Sequence, residues 1–391
     1  MPSIELRGIS WDHPRGHDCM VATAAAYEAV NPDVRITWNT RSLQDFADFP
    51  IQKLAETYDL LVIDHPFVGF AAVDGCLLPL ETAIAPEVLA DQAANSVGPS
   101  HESYIYGGHQ WALATDAAGH VSAYRPDLIE ELGGLPQTWD DVLALAERQR
   151  GQQRAQVANP LIPIDALMSF LSLCAALDDP AYGQPDQVVD RATGREALRM
   201  LRALQQAAHP ESLKRNPPRT LDLMSTTDEI AFVPMLFGYS NYGQPGFRPK
   251  VVRFTGVPTT DGGESRGGIL GGAGVAISAH TRHPEAAAAY AAYVASPDVQ
   301  RGVYFDGGGQ PGHRAAWIDE RVNAASSNFY ADTLAALDHA YLRPRYLGFM
   351  EAQERSGEEV HHWLAEGTSP PDALLDRLDA LYRESDPAGK E

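Results

Sequence analysis

The sequence predicts an α/β protein built from more than one domain. Stretches typical of strands and stretches typical of helices alternate from residue 4 onward, which is the pattern of α/β folds. The chain has 391 residues, and at about 100–200 residues per domain this length predicts two or three domains. Hydrophobic residues make up 44% and charged residues 21% of the chain, a composition that excludes disordered and fibrous proteins.

The first quarter of the chain carries the clearest local signals. Residues 4–9 alternate apolar and polar side chains and predict a strand, and residues 34–38 predict a second strand. Residues 20–30 have apolar side chains at helical spacing, and another helix is expected over residues 46–56. Residues 58–64 form a nearly continuous apolar run, which is typical of a strand buried on both faces of a parallel sheet.

The later segments continue the alternation of helices and strands. Thr138, with Asp141 three residues further on, predicts the capping box of a helix. We interpret residues 226–237 as a helix start followed by a strand, and residues 237–243 as a flexible polar loop rather than part of a core. Further strands are expected over residues 104–115 (a pair with a Gly-Gly turn), 121–124, 253–258 and 275–278, and further helices over residues 125–133, 161–177, 193–209, 284–295, 323–339, 351–366 and 371–383.

The charge and the cysteines exclude several classes of function. The chain has 52 acidic and 30 basic residues and a net charge of −22, which repels phosphate groups, so no nucleic-acid partner is expected. No run approaches the length of a membrane span, and no secretory signal is visible at the N-terminus. Cys19, Cys76 and Cys174 lack metal-binding spacing and are expected to be ordinary core residues.

Polar loops follow two of the predicted strands, at residues 11–14 and 64–67. Ligands bind beyond the carboxyl ends of parallel strands, so both loops are expected to face one cleft. The alternative is that Asp12 and Asp64 only cap the helices that follow. For Asp64 we favour contact with ligand hydroxyls or a cationic group, because Pro66 and Gly69 argue against a helix that begins there.

Five segments occur in an order that identifies a family. They are an early helix ending at residues 31–34, the run 58–64 with 75–80, the stretch 106–128 with 136–141, the strand 271–278 with the helix after it, and the glycine-rich residues 307–312. Together they resemble the extracellular solute-binding proteins of bacterial ABC importers, the maltose-binding-like group, over about residues 17–317. The sequence departs from that family in showing no leader.

The resemblance implies a two-lobed periplasmic-binding-protein-like fold of type II. The first lobe would comprise residues 1–113 and 268–312, and the second residues 114–267 and 313–391. Each lobe is expected to carry a mostly parallel sheet. A ligand would bind in the cleft between the lobes, and hinge closure would present a surface to a membrane permease.

The same resemblance implies capture of a sugar, polyol or related molecule rather than catalysis. It implies no cofactor, the subunits of an ABC permease as partners, a monomer, and a location outside the cytoplasm. Without a visible leader, a cytoplasmic ligand sensor of the same fold stays an alternative, as does a two-lobed enzyme using Asp64, His65 and Asp116 in acid–base chemistry. His13, His17 and Cys19 lie close together, but the proline loop between them breaks standard zinc spacing, so no metal is expected.

Sugar binding predicts aromatic side chains for the ring faces and planar polar groups for the hydroxyls. In an open α/β lobe such residues belong on loops at strand ends. For each candidate, core packing or helix capping is the alternative. The candidates are Trp11, Asp12, His13, Asp64, His65, Phe67, Trp111, Thr115, Asp116, Asn159, Asp165, Phe237, Tyr239, Asn241, Tyr242, Gly272, His313 and Arg314.

Overall fold

The computed structural model of the chain describes residues 3–42, 51–184, 186–367 and 369–385. The chain divides into two compact units. Unit 1 comprises Met1–Ala118, Gly271–Val322 and Arg345–Leu347, and unit 2 comprises Gly119–Leu270, Asn323–Pro344 and Gly348–Glu391. These units assign residues 114–118, 268–270, 313–322 and 345–347 differently from the lobe boundaries given above, which stay a prediction.

The described elements confirm the α/β class. The strands are β1 (Ile4–Trp11), β2 (Val34–Arg41), β3 (Leu60–Asp64), β4 (Ile105–Tyr106), β5 (His109–Gln110), β6 (Ala112–Tyr124), β7 (Gln156–Val157), β8 (Ile230–Phe237), β9 (Arg253–Thr255) and β10 (Leu270–Ile277). The helices are α1 (Asp18–Val30), α2 (Ile51–Ala55), α3 (Val68–Asp74), α4 (Pro86–Asn95), α5 (Ser100–Ser103), α6 (Pro126–Glu131), α7 (Trp139–Gln149), α8 (Pro163–Ala176), α9 (Arg191–Ala207), α10 (Pro217–Thr226), α11 (Pro284–Ala295), α12 (Pro297–Val299), α13 (Arg314–Trp317), α14 (Glu320–Ala325), α15 (Phe329–Asp338), α16 (Phe349–Glu366) and α17 (Pro371–Glu384).

The sheet of unit 1 has the order β2-β1-β3-β10 and continues into the first half of β6. β1 pairs in parallel with β2 and with β3, whereas β10 runs antiparallel to β3. Alternate side chains of β1 and β3, such as Leu6 and Val62, belong to the core cluster that α1 and α11 cover. The alternation in residues 4–9 and the apolar run over residues 58–64 therefore placed β1 and β3 correctly.

The sheet of unit 2 does not match the expectation of a mostly parallel sheet. The second half of β6 pairs antiparallel with both β8 and β9, and only β7 with β8 forms a parallel pair. The sequence interpretation assumed parallel strands joined by helices. β8 instead lies between β6 and β7. It is antiparallel to β6 and parallel to β7.

Local signals succeeded where a side chain bonds to nearby backbone. Thr138 accepts from the Asp141 N–H at 3.1 Å and Asp141 accepts from the Thr138 N–H at 3.0 Å, so the capping box is confirmed. Gly107 and Gly108 both have positive φ, as a two-residue hairpin turn requires.

The helix start expected at residue 226 is wrong, because α10 ends there and β8 follows. The first half of the helix expected over residues 46–56 lies outside the described residues.

All three cysteines are buried and free, as the sequence predicted. Within the described ranges, no helix combines the length and the apolar character needed to cross a membrane.

Candidate functional site

Four of the candidates in unit 1 lie at one edge of its sheet. β1 and β3 are parallel neighbours with Ile9 opposite Leu61, so Trp11 and Asp64 leave the sheet at nearly the same level. On β10, Ala273 pairs with Asp64, and the next residue, Gly272, lies against the backbone of Asp116. Gly272 has φ +103°, and a Cβ there would lie 2.4 Å from the Asp116 carbonyl oxygen, so this edge requires glycine.

A buried ion pair crosses this edge. The Arg15 guanidinium binds Asp116 through two bonds, Nε to Oδ2 at 2.7 Å and Nη2 to Oδ1 at 2.5 Å. The two residues are 4% and 2% exposed. Burial raises the pKa of Asp116, and the adjacent guanidinium opposes that rise. Arg15 was not among the sequence candidates. Its guanidinium bonds to both carboxylate oxygens of Asp116, a residue that the sequence analysis expected to contact ligand.

The expectation that no helix begins at Asp64 is wrong. A turn of 3-10 helix over His65–Phe67 follows at once and leads into α3, and the Asp64 carboxylate accepts from the His65 N–H at 2.8 Å. Pro66 occupies the first turn of that helix, where its missing N–H costs nothing. The helix also places the His65 ring in the interior, edge-on to Tyr104. Asp64 is thus a helix cap that stays partly exposed, and its contact with ligand remains a prediction.

Two substitutions separate the capping role of Asp64 from a ligand role. Asp64→Ala removes the cap and should lower the free energy of unfolding of unit 1 by about 1 kcal/mol. Asp64→Asn keeps an oxygen that can cap, so stability should be nearly unchanged in urea titrations. A loss of ligand affinity in Asp64→Asn, measured by calorimetry, would then report ligand contact alone. If Asp64→Asn keeps full affinity, Asp64 is only a cap.

The other candidates in unit 1 have structural contacts as well. Trp11, Phe67, Trp111 and Thr115 are buried, and the Trp111 indole donates to the Tyr106 carbonyl at 2.9 Å. His313 caps α13 by accepting from the Ala315 N–H at 3.1 Å. Three candidates keep accessible side chains and are therefore the better placed to meet a solute. They are Asp12, which is exposed, and His13 and Arg314, which are half-buried.

In unit 2, the candidates gather where the parallel strands β7 and β8 end. Asn159 follows β7, and Phe237 is the last residue of β8. The Asn159 amide donates to Ser169 Oγ at 3.0 Å, and its oxygen accepts from the Met235 N–H at 3.2 Å. Asn159 is therefore a buried bridge between α8 and β8.

A buried histidine next to these residues escaped the sequence analysis. The His120 ring on β6 packs edge-on against Phe237, with 4.6 Å between ring centroids, and its Nδ1 bonds to Ser172 Oγ at 2.8 Å. Burial lowers the pKa of His120 to about 3, so the ring is neutral at physiological pH. The one sequence signal for this contact was a pair of serines, at 169 and 172, inside an otherwise apolar helix.

The segment after β8 is not the flexible polar loop that the sequence suggested. Tyr239, Asn241 and Tyr242 are all buried, and Ser240–Gly243 form a turn of 3-10 helix. The Tyr242 hydroxyl bonds to Asp222 at 2.9 Å, and burial raises the pKa of Tyr242. Bonds to Pro218 and Asp222 satisfy the Tyr242 hydroxyl, which allows this side chain to be buried. A role of these tyrosines in ligand stacking stays a prediction.

The family to which the chain belongs follows from comparison with known proteins. A profile described as "Bacterial extracellular solute-binding protein" matches residues 20–301, which is well over half of the chain. The chain belongs to this family. The resemblance stated from the sequence is confirmed, and so is its implication of a solute-binding protein. No match was found among the curated proteins.

Solved structures of solute-binding proteins share the fold at low identity. Maltose-bound MalE3 of Thermotoga maritima has a TM-score of 0.82 at 16% identity, with 97% of this chain and 99% of that chain covered. A ribitol complex from Agrobacterium radiobacter K84 has a TM-score of 0.79 at 19% identity, with coverage of 98% and 100%. A complex with α-D-tagatose from Thermotoga lettingae has a TM-score of 0.80 at 16% identity, with coverage of 97% and 100%. The two-lobed, maltose-binding-like fold is therefore confirmed for this solute-binding protein.

Proposed function

We propose that this solute-binding protein captures a sugar, a polyol or a related molecule and delivers it to the permease of an ABC importer. It acts as a monomer outside the cytoplasm and binds its ligand without breaking a bond. The family match over residues 20–301 is the observation that carries the proposal. The similar structures add to it, because their ligands are maltose, ribitol and tagatose.

The chemistry of the two sheet edges suits a hydroxylated ligand. In unit 1, Asp64 and His13 are half-buried, and both side chains are of types that can bond to hydroxyl groups. In unit 2, Phe237 is half-buried and offers an aromatic face to the apolar face of a sugar ring. We propose these three, with Asp12 and Arg314, as direct ligand contacts. We propose the buried candidates Trp11, Tyr242 and Asp116 as the framework that holds them.

A ligand screen tests the proposal. The protein is heated with each member of a library of mono- and oligosaccharides, polyols and small acids, and a true ligand at 100 times its Kd should stabilise the fold by about 2.7 kcal/mol. The ligand should be recovered unchanged by NMR, and light scattering should report one chain per particle. Conversion of the ligand would indicate an enzyme, and a library without any stabilising sugar or polyol would contradict the proposed function.

A further inference from the structure

Helix α8 carries a polar stripe through an apolar helix. Its sequence, PIDALMSFLSLCAA, is nearly all apolar, and most of its residues are buried. Asp165, Ser169 and Ser172 stand at positions i, i+4 and i+7, so they lie on one face of the helix. Ser169 meets Asn159 at the end of β7, which places this face towards the ends of β7 and β8.

Hydrogen bonds satisfy the two serines of this stripe but not its aspartate. Ser169 Oγ accepts from the Asn159 amide at 3.0 Å. Ser172 Oγ bonds to His120 Nδ1 at 2.8 Å and accepts from the Ile269 N–H at 3.1 Å. Asp165 is only 5% exposed, and its Oδ2 has no hydrogen-bond partner among the described residues. A buried polar atom without a partner is costly, so such atoms are rare unless they serve a purpose.

Among the described residues, none near Asp165 supplies a compensating charge, and burial is the cause of its shifted pKa. The buried Arg343 donates instead to Gln353 on α16, at 2.8 Å. β8 has no titratable side chain, and the buried residues of α9 that pack near α8 are apolar. On α16, Glu354 and Glu358 are exposed, and His361 is half-buried with Nδ1 bonded to the Leu161 carbonyl oxygen. The buried His120 ring is neutral at physiological pH. Burial therefore raises the pKa of Asp165 to about 8.

We propose that Asp165 is a specificity-determining residue that receives a positively charged amino group of the solute, so that the ligand is an amino-substituted sugar or polyol. This inference rests on the proposed function, because it names the class of solute that the protein captures. An ammonium group supplies both the donor that Oδ2 lacks and the opposite charge that a buried carboxylate requires. A neutral hydroxyl supplies only the donor.

The proposed binding step exchanges a proton for the ammonium group. At pH 7 the carboxyl group of the ligand-free protein holds a proton, because its pKa lies near 8. When the protonated amine binds, the carboxyl loses this proton to solvent and the carboxylate pairs with the ammonium group. Asp165 also lies in the first turn of α8, where the helix dipole favours the ionised form. Binding should therefore release about one proton, and affinity should rise between pH 6 and pH 8.

Matched probes test this inference against the proposed function. Glucamine is compared with glucitol, and glucosamine with glucose and N-acetylglucosamine, so that each pair differs mainly in the charged nitrogen. Calorimetry in two buffers of different ionisation enthalpy measures the protons released. We expect the amino compounds to bind at least about tenfold more tightly than their neutral partners, the ratio for one charge-assisted bond, with about one proton released at pH 7.

The variant Asp165→Asn assigns the effect to this carboxyl group. It should lose at least about tenfold in affinity for the amino compounds, keep its affinity for the neutral ones and abolish the proton release. Asp140→Asn is the matched control, because Asp140 is an exposed aspartate in the first turn of another helix, α7. That variant should bind both series like the unaltered protein. The melting temperature of ligand-free Asp165→Asn should not fall, because no bond of Oδ2 is lost.

The possible outcomes separate the two proposals. Neutral sugars that bind as tightly as their amino counterparts, without proton release, overturn the role of Asp165 and leave the proposed function standing. Failure of both series, together with every sugar and polyol of the ligand screen, contradicts both proposals. If Asp165→Asn does not fold, the proton count on the unaltered protein still decides, since a ligand that releases no proton at pH 7 overturns the inference.

Discussion

Replacing Asp116 with leucine should lower the free energy of unfolding of unit 1 by about 3–5 kcal/mol. The substitution leaves the Arg15 guanidinium buried without its counter-charge, and an uncompensated buried charge costs that much. Both side chains are almost fully buried, at 5% and 1% exposure, so water cannot replace the lost partner. Urea titration with a probe in unit 1 measures the change.

Two further variants show whether the cost comes from the unpaired charge. The double substitution Arg15→Met with Asp116→Leu removes both charges and fills a similar volume, so most of the lost stability should return. Arg35→Met breaks the exposed pair with Glu28, in which Arg35 is 63% exposed, and should cost at most about 1 kcal/mol. A double variant as unstable as Asp116→Leu alone would mean that the loss arises from packing rather than from charge.

Local sequence patterns predicted most of the fold of unit 1. The alternation in residues 4–9 and the apolar run 58–64 correspond to β1 and β3, and the helix signal ending at Asn31 corresponds to α1. Such signals work because a strand or helix buries one face, so its apolar residues recur along the sequence at the spacing of that element. Such signals do not predict the order of strands in unit 2, because strand pairing depends on contacts between segments that are distant in the sequence.

The sequence predicted which candidate residues of unit 1 share a sheet edge better than it predicted their contacts. The rule about carboxyl ends of strands placed Trp11 and Asp64 at one sheet edge, where the structure has them. Ligand binding at that edge stays a prediction. The sequence analysis could not find that Arg15 holds Asp116, because these residues are 101 positions apart. It also misjudged residues 239–242, since a polar sequence does not reveal that Asp222 will satisfy Tyr242 inside the core.

The case of Asp64 shows how a local rule can point the wrong way. A proline shortly after a strand suggested that no helix could begin, yet the first turn of a helix is the place where proline is tolerated. In the structure Asp64 caps the helix that follows it, and its contact with ligand is a prediction. These roles are compatible, because the cap uses Oδ1 on the His65 N–H.

The largest effect in unit 2 is expected from Arg125→Met. The Arg125 guanidinium is 1% exposed. It donates to Asp127 at 2.9 and 2.7 Å, to Asp228 at 2.8 Å, and to the carbonyl oxygens of Met224 and Thr227 at 2.9 and 2.7 Å. It thus ties the end of β6 to the connection between α10 and β8. Losing this set should lower the free energy of unfolding of unit 2 by about 3 kcal/mol, as measured by urea titration.

Two comparisons and a pH series complete the test of Arg125. Arg125→Lys should recover only part of the loss, because an ammonium group cannot reproduce the forked contact with a carboxylate. Arg199→Met removes an exposed arginine from Glu196 and should cost at most about 1 kcal/mol. Hydrogen bonds from Arg125 hold the pKa values of Asp127 and Asp228 below their usual range. The contacts with these two carboxylates therefore contribute their full stability above the pKa of the unfolded state, about 3.9. That contribution is lost as the pH falls through the lower pKa values of the folded state. The difference between the unaltered protein and Arg125→Met should narrow below about pH 4. A difference that stays constant down to pH 2 would show that the two carboxylates contribute nothing to it.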